Sequence, residues 1–162
     1  MTFKKEHNEH CKEIAKNIED YANGNVYKCP QCGDEIDDTR EFDDDGNIIN
    51  VDDDHDESGA MRCPTCGEWM QFDDWTADDY AEQCSLFDYF SDAFDFRVTR
   101  SGLDRDGDII GVEILIAFGG PNIWVDTCDQ AVKLFWWGDR GEASIPGYVC
   151  EAIDNEINEL CY

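Results

Sequence analysis

The chain has 162 residues, 41% hydrophobic and 12% aromatic, which is room for one domain or for a compact domain with a small appendage and too apolar for a disordered polymer. Thirty-nine Asp and Glu oppose twelve Lys and Arg, a formal net charge of −27, so the chain repels nucleic acid and anionic membranes and attracts basic surfaces. It has no apolar run long enough for a membrane span, no apolar N-terminal segment of the secretory kind, and an odd count of nine cysteines, which together predict reduced thiols in a cytoplasm.

In chain order, residues 3–22 carry Phe3, Cys11, Ile14, Ala15, Ile18 and Tyr21 at three- and four-residue spacings, the pattern of an amphipathic helix, which Asn23-Gly24 ends. Residues 26–72 open with VYKCPQCGDEI and close with MRCPTCGEWMQF. Between them Asp45-Gly46 is a turn signal that pairs EFD with NIINV as a hairpin, and Asp52 to Glu57 reads as a solvated loop. Residues 76–94 predict a second helix, with Thr76 as N-cap, Asp79 three residues on, and Tyr80, Cys84, Phe87 and Phe94 along an apolar stripe. DFRVTRS, DIIGVEILIAFGG, NIWVDTC and AVKLFWWG read as strands separated by turn residues. Residues 146–161 close with a helix whose Val149, Ile153, Ile157 and Leu160 share a face. The expected fold is α+β: an N-terminal helix, a four-cysteine zinc ribbon, a linking helix, a four-stranded antiparallel meander and a C-terminal helix. The expected divisions are 1–25, 26–72 and 73–162.

The two CPxCG units carry the sharpest chemistry. Two residues between thiols let both sulfurs converge on one tetrahedral ion, and the glycine after the second cysteine permits the left-handed turn that aims backbone NH groups at them. Cys29, Cys32, Cys63 and Cys66 are thus the expected ligands of one structural Zn2+, with a shell closed to water and substrate. A redox CxxC is the lesser alternative, because the unit occurs twice and neither copy sits in a βαβ pattern. Residues 26–72 resemble a zinc ribbon. Many members of that class bind nucleic acid or join transcription machinery, yet here only Lys28, Arg40 and Arg62 stand among many acids. Zinc binding adds two positive charges and removes four thiol protons, moving the formal charge from −27 to −29.

Residues 41–96 hold eighteen acids and one basic residue, Arg62. On a helix Asp74, Asp78 and Glu82, and likewise Asp88 and Asp92, would be neighbours, each like-charged pair costing a few tenths of a kcal/mol. Duplex DNA carries about one negative charge per 1.7 Å of axis, and a folded body with rows of carboxylates presents a comparable field. Asp43, Asp44, Asp45, Asp52, Asp53, Asp54, Asp74, Asp78, Glu82, Asp88 and Asp92 are therefore the candidate partner-contact residues. The alternative is a solvated acidic face, against which stand the spread of the bias over loop, ribbon and helix and the scarcity of interspersed lysine.

Weaker patterns remain. Glu41, Asp43, Asp45, Gly46, Ile48 and Asp52 partly match a calcium loop, with the wrong acids at first and last positions. The three histidines stand near no evident partner, so no Ser/His/Asp or Cys/His catalytic set is expected, and the chain reads as a non-enzyme. Trp136 and Trp137 would point to opposite faces of a strand, with core packing for both somewhat favoured over one serving as an interface anchor.

DYFSDAFDF, GGPNIWVDT, VKLFWWGD and VCEAIDNEINEL, from about Asp88 to Tyr162, resemble small acidic proteins of uncharacterised function from phages and integrative elements. Size and charge separately resemble phage DNA mimics that block restriction or CRISPR nucleases. The resemblance implies a stoichiometric inhibitor in the bacterial host cytoplasm, partnered with a basic DNA-binding protein and with neither nucleic acid nor membrane. The other expectation is a zinc-ribbon adaptor of transcription or replication machinery.

Overall fold

The structure is a computed structural model that describes residues 2–72, 80–102 and 107–161. It is α+β, and its contacts divide it into two units: Met1–Asn23 with Ser85–Tyr162, and Gly24–Cys84. The N-terminal helix therefore belongs with the C-terminal sheet and is not a separate segment, and the second unit is inserted in the first.

In the first unit, α1 (Thr2–Ala22) is followed after the insertion by α2 (Leu86–Phe90), by strands β6 (Asp95–Arg100), β7 (Ile109–Ala117), β8 (Asn122–Asp126), β9 (Ala131–Trp136) and β10 (Asp139–Ser144), and by α3 (Gly147–Leu160). All five strands pair antiparallel with their chain neighbours, in the order β10-β9-β8-β7-β6. The sequence predicts four strands. The fifth, DRGEAS, escapes a hydropathy reading because only its small residues Gly141 and Ala143 turn inward. Val112, Ile114, Val125, Val132 and Leu134 form the sheet's contribution to the core, met by Cys11, Ile14 and Ile18 of α1 and by Val149, Ile153 and Ile157 of α3. The Thr127 hydroxyl ties the layers, accepting from the Val112 NH at 2.8 Å and donating to Asp154 at 2.6 Å.

The expected helix over 76–94 is corrected. Residues 73–79, with Thr76 and Asp79, lie outside the described residues. Tyr80 bridges to Gln71, Glu82-Gln83 form a short strand, and helix starts only after Ser85, whose hydroxyl accepts from the Asp88 NH while the Asp88 carboxylate accepts from the Ser85 NH. This capping box overrides the apolar periodicity upstream.

The second unit contains β1 (Val26–Lys28), β2 (Glu35–Asp37), β3 (Met61–Arg62), β4 (Trp69–Met70) and β5 (Glu82–Gln83). Strands β1 and β2 form one hairpin and β3 and β4 another, each closed by a CPxCG turn, while β5 pairs with β1. Its core is small: Ile36, Met61, Met70, Phe72 and Ala81 beside two buried cysteines. Among the described residues no helix is long and apolar enough to cross a membrane.

Candidate metal centre and acidic loops

The two CPxCG turns repeat one geometry. The Cys29 NH donates to the Asp34 carbonyl and the Gly33 NH to the Cys29 carbonyl, both at 2.9 Å. In the second copy the Cys63 NH donates to Glu68 at 2.8 Å and the Gly67 NH to Cys63 at 2.9 Å. Gly33 and Gly67 take φ of 79° and 77°, the left-handed conformation that glycine adopts without strain. In each turn the first cysteine is buried and the second exposed.

All four sulfurs lie within 4.8 Å of one another, with Cys29 to Cys66 and Cys32 to Cys63 both at 3.8 Å. A tetrahedron with metal–sulfur bonds of about 2.3 Å has edges of about 3.8 Å. A disulfide needs about 2.05 Å, and all nine cysteines are free. The residues therefore fit a four-coordinate metal ion. Burial opposes ionisation of Cys63, but NH groups of Cys66 and Thr65 outweigh it and bring the thiol down to about 7. The Asp34 NH favours the Cys32 thiolate, yet burial and hydrogen bonds with the other three thiols push it up to about 12. Thiols crowded in this way surrender their protons when a metal binds.

The acidic segment is ordered by its own carboxylates. Asp43 Oδ1 accepts from the NH groups of Asp45 and Asn47, at 3.0 and 2.8 Å, below the turn at Gly46. Asp56 Oδ1 accepts from Ser58 and Ala60 NH groups in a second turn of the same form, at Gly59. Phe42 bridges to Ile48, so the expected hairpin is present. Asp43, Asp52 and Asp56 are all held below the usual carboxylate value, Asp43 chiefly by Asn47, Asp52 by the Asp54 NH and then His55, and Asp56 by Ser58. Among the described residues the four cysteines are the one group placed to hold a metal; the calcium-loop acids do not converge.

The loop at 52–57 is not simply solvated. His55 is buried, with Nδ1 2.8 Å from Asp52 Oδ1 and Nε2 2.9 Å from Thr39 Oγ1. Sequence reasoning misses this partner; the available signal is the spacing Asp-x-x-His, which places an Asx turn beside the ring. The order Asp–His–Thr matches a charge relay, but the Thr39 hydroxyl also meets Met61 Sδ at 3.2 Å, and neither the Asp52 nor the Thr39 side is enclosed. The set is a staple joining loop to strand. Cysteine chemistry is equally disfavoured at Cys11 and Cys150, whose thiols burial pushes up to about 11.

Of the candidate contact residues, Asp43, Asp44, Asp45, Asp52, Asp53 and Asp54 are all exposed on these loops. Asp74 and Asp78 lie outside the described residues. Glu82 is exposed on strand β5, not on a helix, and Asp92 lies past the end of α2, so the 88–92 pair is not a helical stripe. Of the three bases in the ribbon, Arg40 is sequestered: it pairs with Asp38 at 2.8 and 2.9 Å and lies 3.5 Å over Phe72. Neither Trp136 nor Trp137 is core. Trp137 occupies the β9–β10 turn at φ 46° and is 90% exposed.

Comparison with protein-family models, with curated proteins and with solved structures finds no match for this chain.

Proposed function

We propose that this chain is an acidic DNA mimic, an anti-defence inhibitor of the kind carried by phages and mobile elements, that occupies the cationic DNA groove of a host CRISPR or restriction nuclease. The observation that carries the reading is the loop array at 41–57. Its Asp43, Asp52 and Asp56 carboxylates fold back onto local backbone NH groups, which fixes Asp44, Asp45, Asp53 and Asp54 on ordered, exposed turns. A positioned row of charge at −27 overall is costly unless a positive surface meets it. The four thiols hold one structural zinc. A bound zinc ion supplies folding energy and a closed shell, with no open position for catalysis.

The loop geometry selects which charges to reverse. A D44K/D45K/D53K/D54K variant leaves all three turn acceptors, Asp43, Asp52 and Asp56, in place. Zinc-loaded protein is immobilised in host lysate and eluted in parallel with duplex DNA and with moderate salt. The mimic reading expects a DNA-binding nuclease released by both, and no capture by the variant. A partner that resists both eluents and still binds the variant sinks it. The metal is checked by elemental analysis, expecting one zinc per chain and its loss in C32S/C66S.

Exposed aromatics favour a second reading, an adaptor that binds transcription or replication machinery by shape. Trp137 stands on the hairpin tip beside Trp136, at a ring-centroid distance of 6.1 Å. Such a contact changes little with salt, whereas mimic affinity falls steeply. A W137A variant that loses the partner while the lysine variant keeps it selects the adaptor.

A further inference from the structure

Between α2, α3 and the edge strand β6, the first unit leaves an apolar groove with a cavity of about 220 Å³. It exists because α2 has only five residues: Leu86 and Phe90 turn inward, and the helical layer stops before it covers β6. Phe87, Phe96, Val98 and Leu160 line the groove while staying exposed to solvent, an unusual concentration of apolar surface for so charged a chain. Among the described residues Glu156 is the one charged residue in its lining.

The segments that form the groove decide what fits it. Residues 86–100 and 153–161 contribute Asp88, Asp92, Glu156 and Glu159 toward the groove's charge, while Asp95 is turned away with Arg97, Asp154 accepts from the Thr127 hydroxyl, and Arg100 donates to the Gly107 carbonyl. Arg97 is engaged on the other side of the sheet, paired with Asp95 and stacked 4.3 Å over Trp124. A second copy would bring the same acids against themselves, with −27 on each chain. An anionic lipid surface is repelled for the same reason.

We infer that this groove receives a cationic amphipathic helix of a partner protein, its apolar residues seated on Phe87, Phe96 and Leu160 and its Lys and Arg turned to the surrounding carboxylates. Recognition of this kind reads apolar anchors at i, i+3, i+4 and i+7 with basic residues beside them. The interaction stands apart from the mimic reading, because its partner need not bind DNA and its residues lie outside 41–57.

The probe is a fluorescein-labelled peptide of Leu and Lys, about 18 residues long, with leucines in helical register. Its control is a scrambled peptide of the same composition and charge. Anisotropy titrations against the full chain are run at low and at about 0.5 M salt, where bare charge attraction is largely screened. The amphipathic peptide binds more tightly than the scrambled one and retains that advantage in salt. F87S/L160S abolishes the advantage, weakening binding about ten-fold or more, while D44K/D45K/D53K/D54K leaves the advantage unchanged. Both substituted side chains are exposed, and L160S alone, in the last turn of α3, serves should the double variant melt early. Equal binding of the two peptides, or an advantage untouched in F87S/L160S, overturns the inference. So does a concentration-dependent dimer that F87S/L160S dissociates, since the groove would then be filled by a second copy.

Discussion

Gly141 shows how tightly α1 rests on the sheet. A Cβ placed there would fall 2.7 Å from the backbone of His7, and the neighbouring Glu142 NH donates to Asn8 Oδ1 at 3.0 Å. Gly141→Ala should therefore push the helix off β10 and destabilise the first unit by about 1–3 kcal/mol, read from a urea melt followed by far-UV dichroism. A second residue-scale feature is Lys133, which pairs with Asp126 at 2.7 Å and also with Asp129. Burial works against the Asp126 charge, but the Lys133 ammonium and the Asp129 NH outweigh it and hold the carboxyl below its usual value. A depressed carboxyl stabilises the fold above the ordinary Asp value near 3.8, and that contribution is lost as pH falls through the lower, folded-state value. Asp154 has the opposite sign: burial raises it, so its contribution improves on acidification. Lys133→Met leaves the Asp126 carboxylate buried without a cation beside it, and should cost about 3 kcal/mol at neutral pH. Part of that loss should return as pH approaches about 4 and the carboxyl takes up a proton; melts of both proteins at neutral and acidic pH measure it.

At the scale of elements, legibility follows the strength of the local chemistry. The four-cysteine cluster can be read from the sequence because each CPxCG turn is self-contained: spacing, proline and glycine together dictate where two sulfurs go. Helices α1 and α3 are legible from long apolar stripes, and four strands from aromatic and branched runs between turns. Strand β10 is not, because an edge strand covered by α1 needs small residues where a hydropathy pattern expects large ones. The 76–94 helix is over-read because Tyr80, Cys84 and Phe87 happen to fall at helical spacing, while pairing of Lys28 with Glu82 and the Ser85 cap draw the chain out of helix. The Thr39–His55–Asp52 contact is invisible in the sequence because its members come from a strand end and a loop that only the folded ribbon brings together. These differences bear on the second unit's stability. Its strands are two or three residues long, and two of its seven buried cluster residues are cysteines of the candidate metal group, so a metal bound there would carry much of its folding energy. Chelation should collapse the amide dispersion of residues 24–84 in an NMR spectrum and expose four titratable thiols, while the β6–β10 sheet retains its signals. A sheet that melts together with the ribbon would contradict this.

For the whole molecule, charge governs the response to solvent. Screening shortens from about 30 Å at 0.01 M salt to about 3 Å at 1 M, so a chain at −27 should gain several degrees of melting temperature across that range, an effect that a scan in sodium chloride detects. The inserted arrangement of the two units has a different outcome. The Cys84 NH donates to the Val26 carbonyl at 2.8 Å and Gln83 Nε2 to the Gly24 carbonyl at 2.8 Å, so the folded insert brings its own two ends together. When it is unfolded, α1 is joined to its sheet by a loose loop of about sixty residues; when folded, by the equivalent of a very short one. The difference in loop-closure entropy is about 2 kcal/mol. Metal loading at the four cysteines thus acts on the other unit as a knot acts on a slack rope, tightening α1 onto β10 through chain entropy alone and requiring no contact at all.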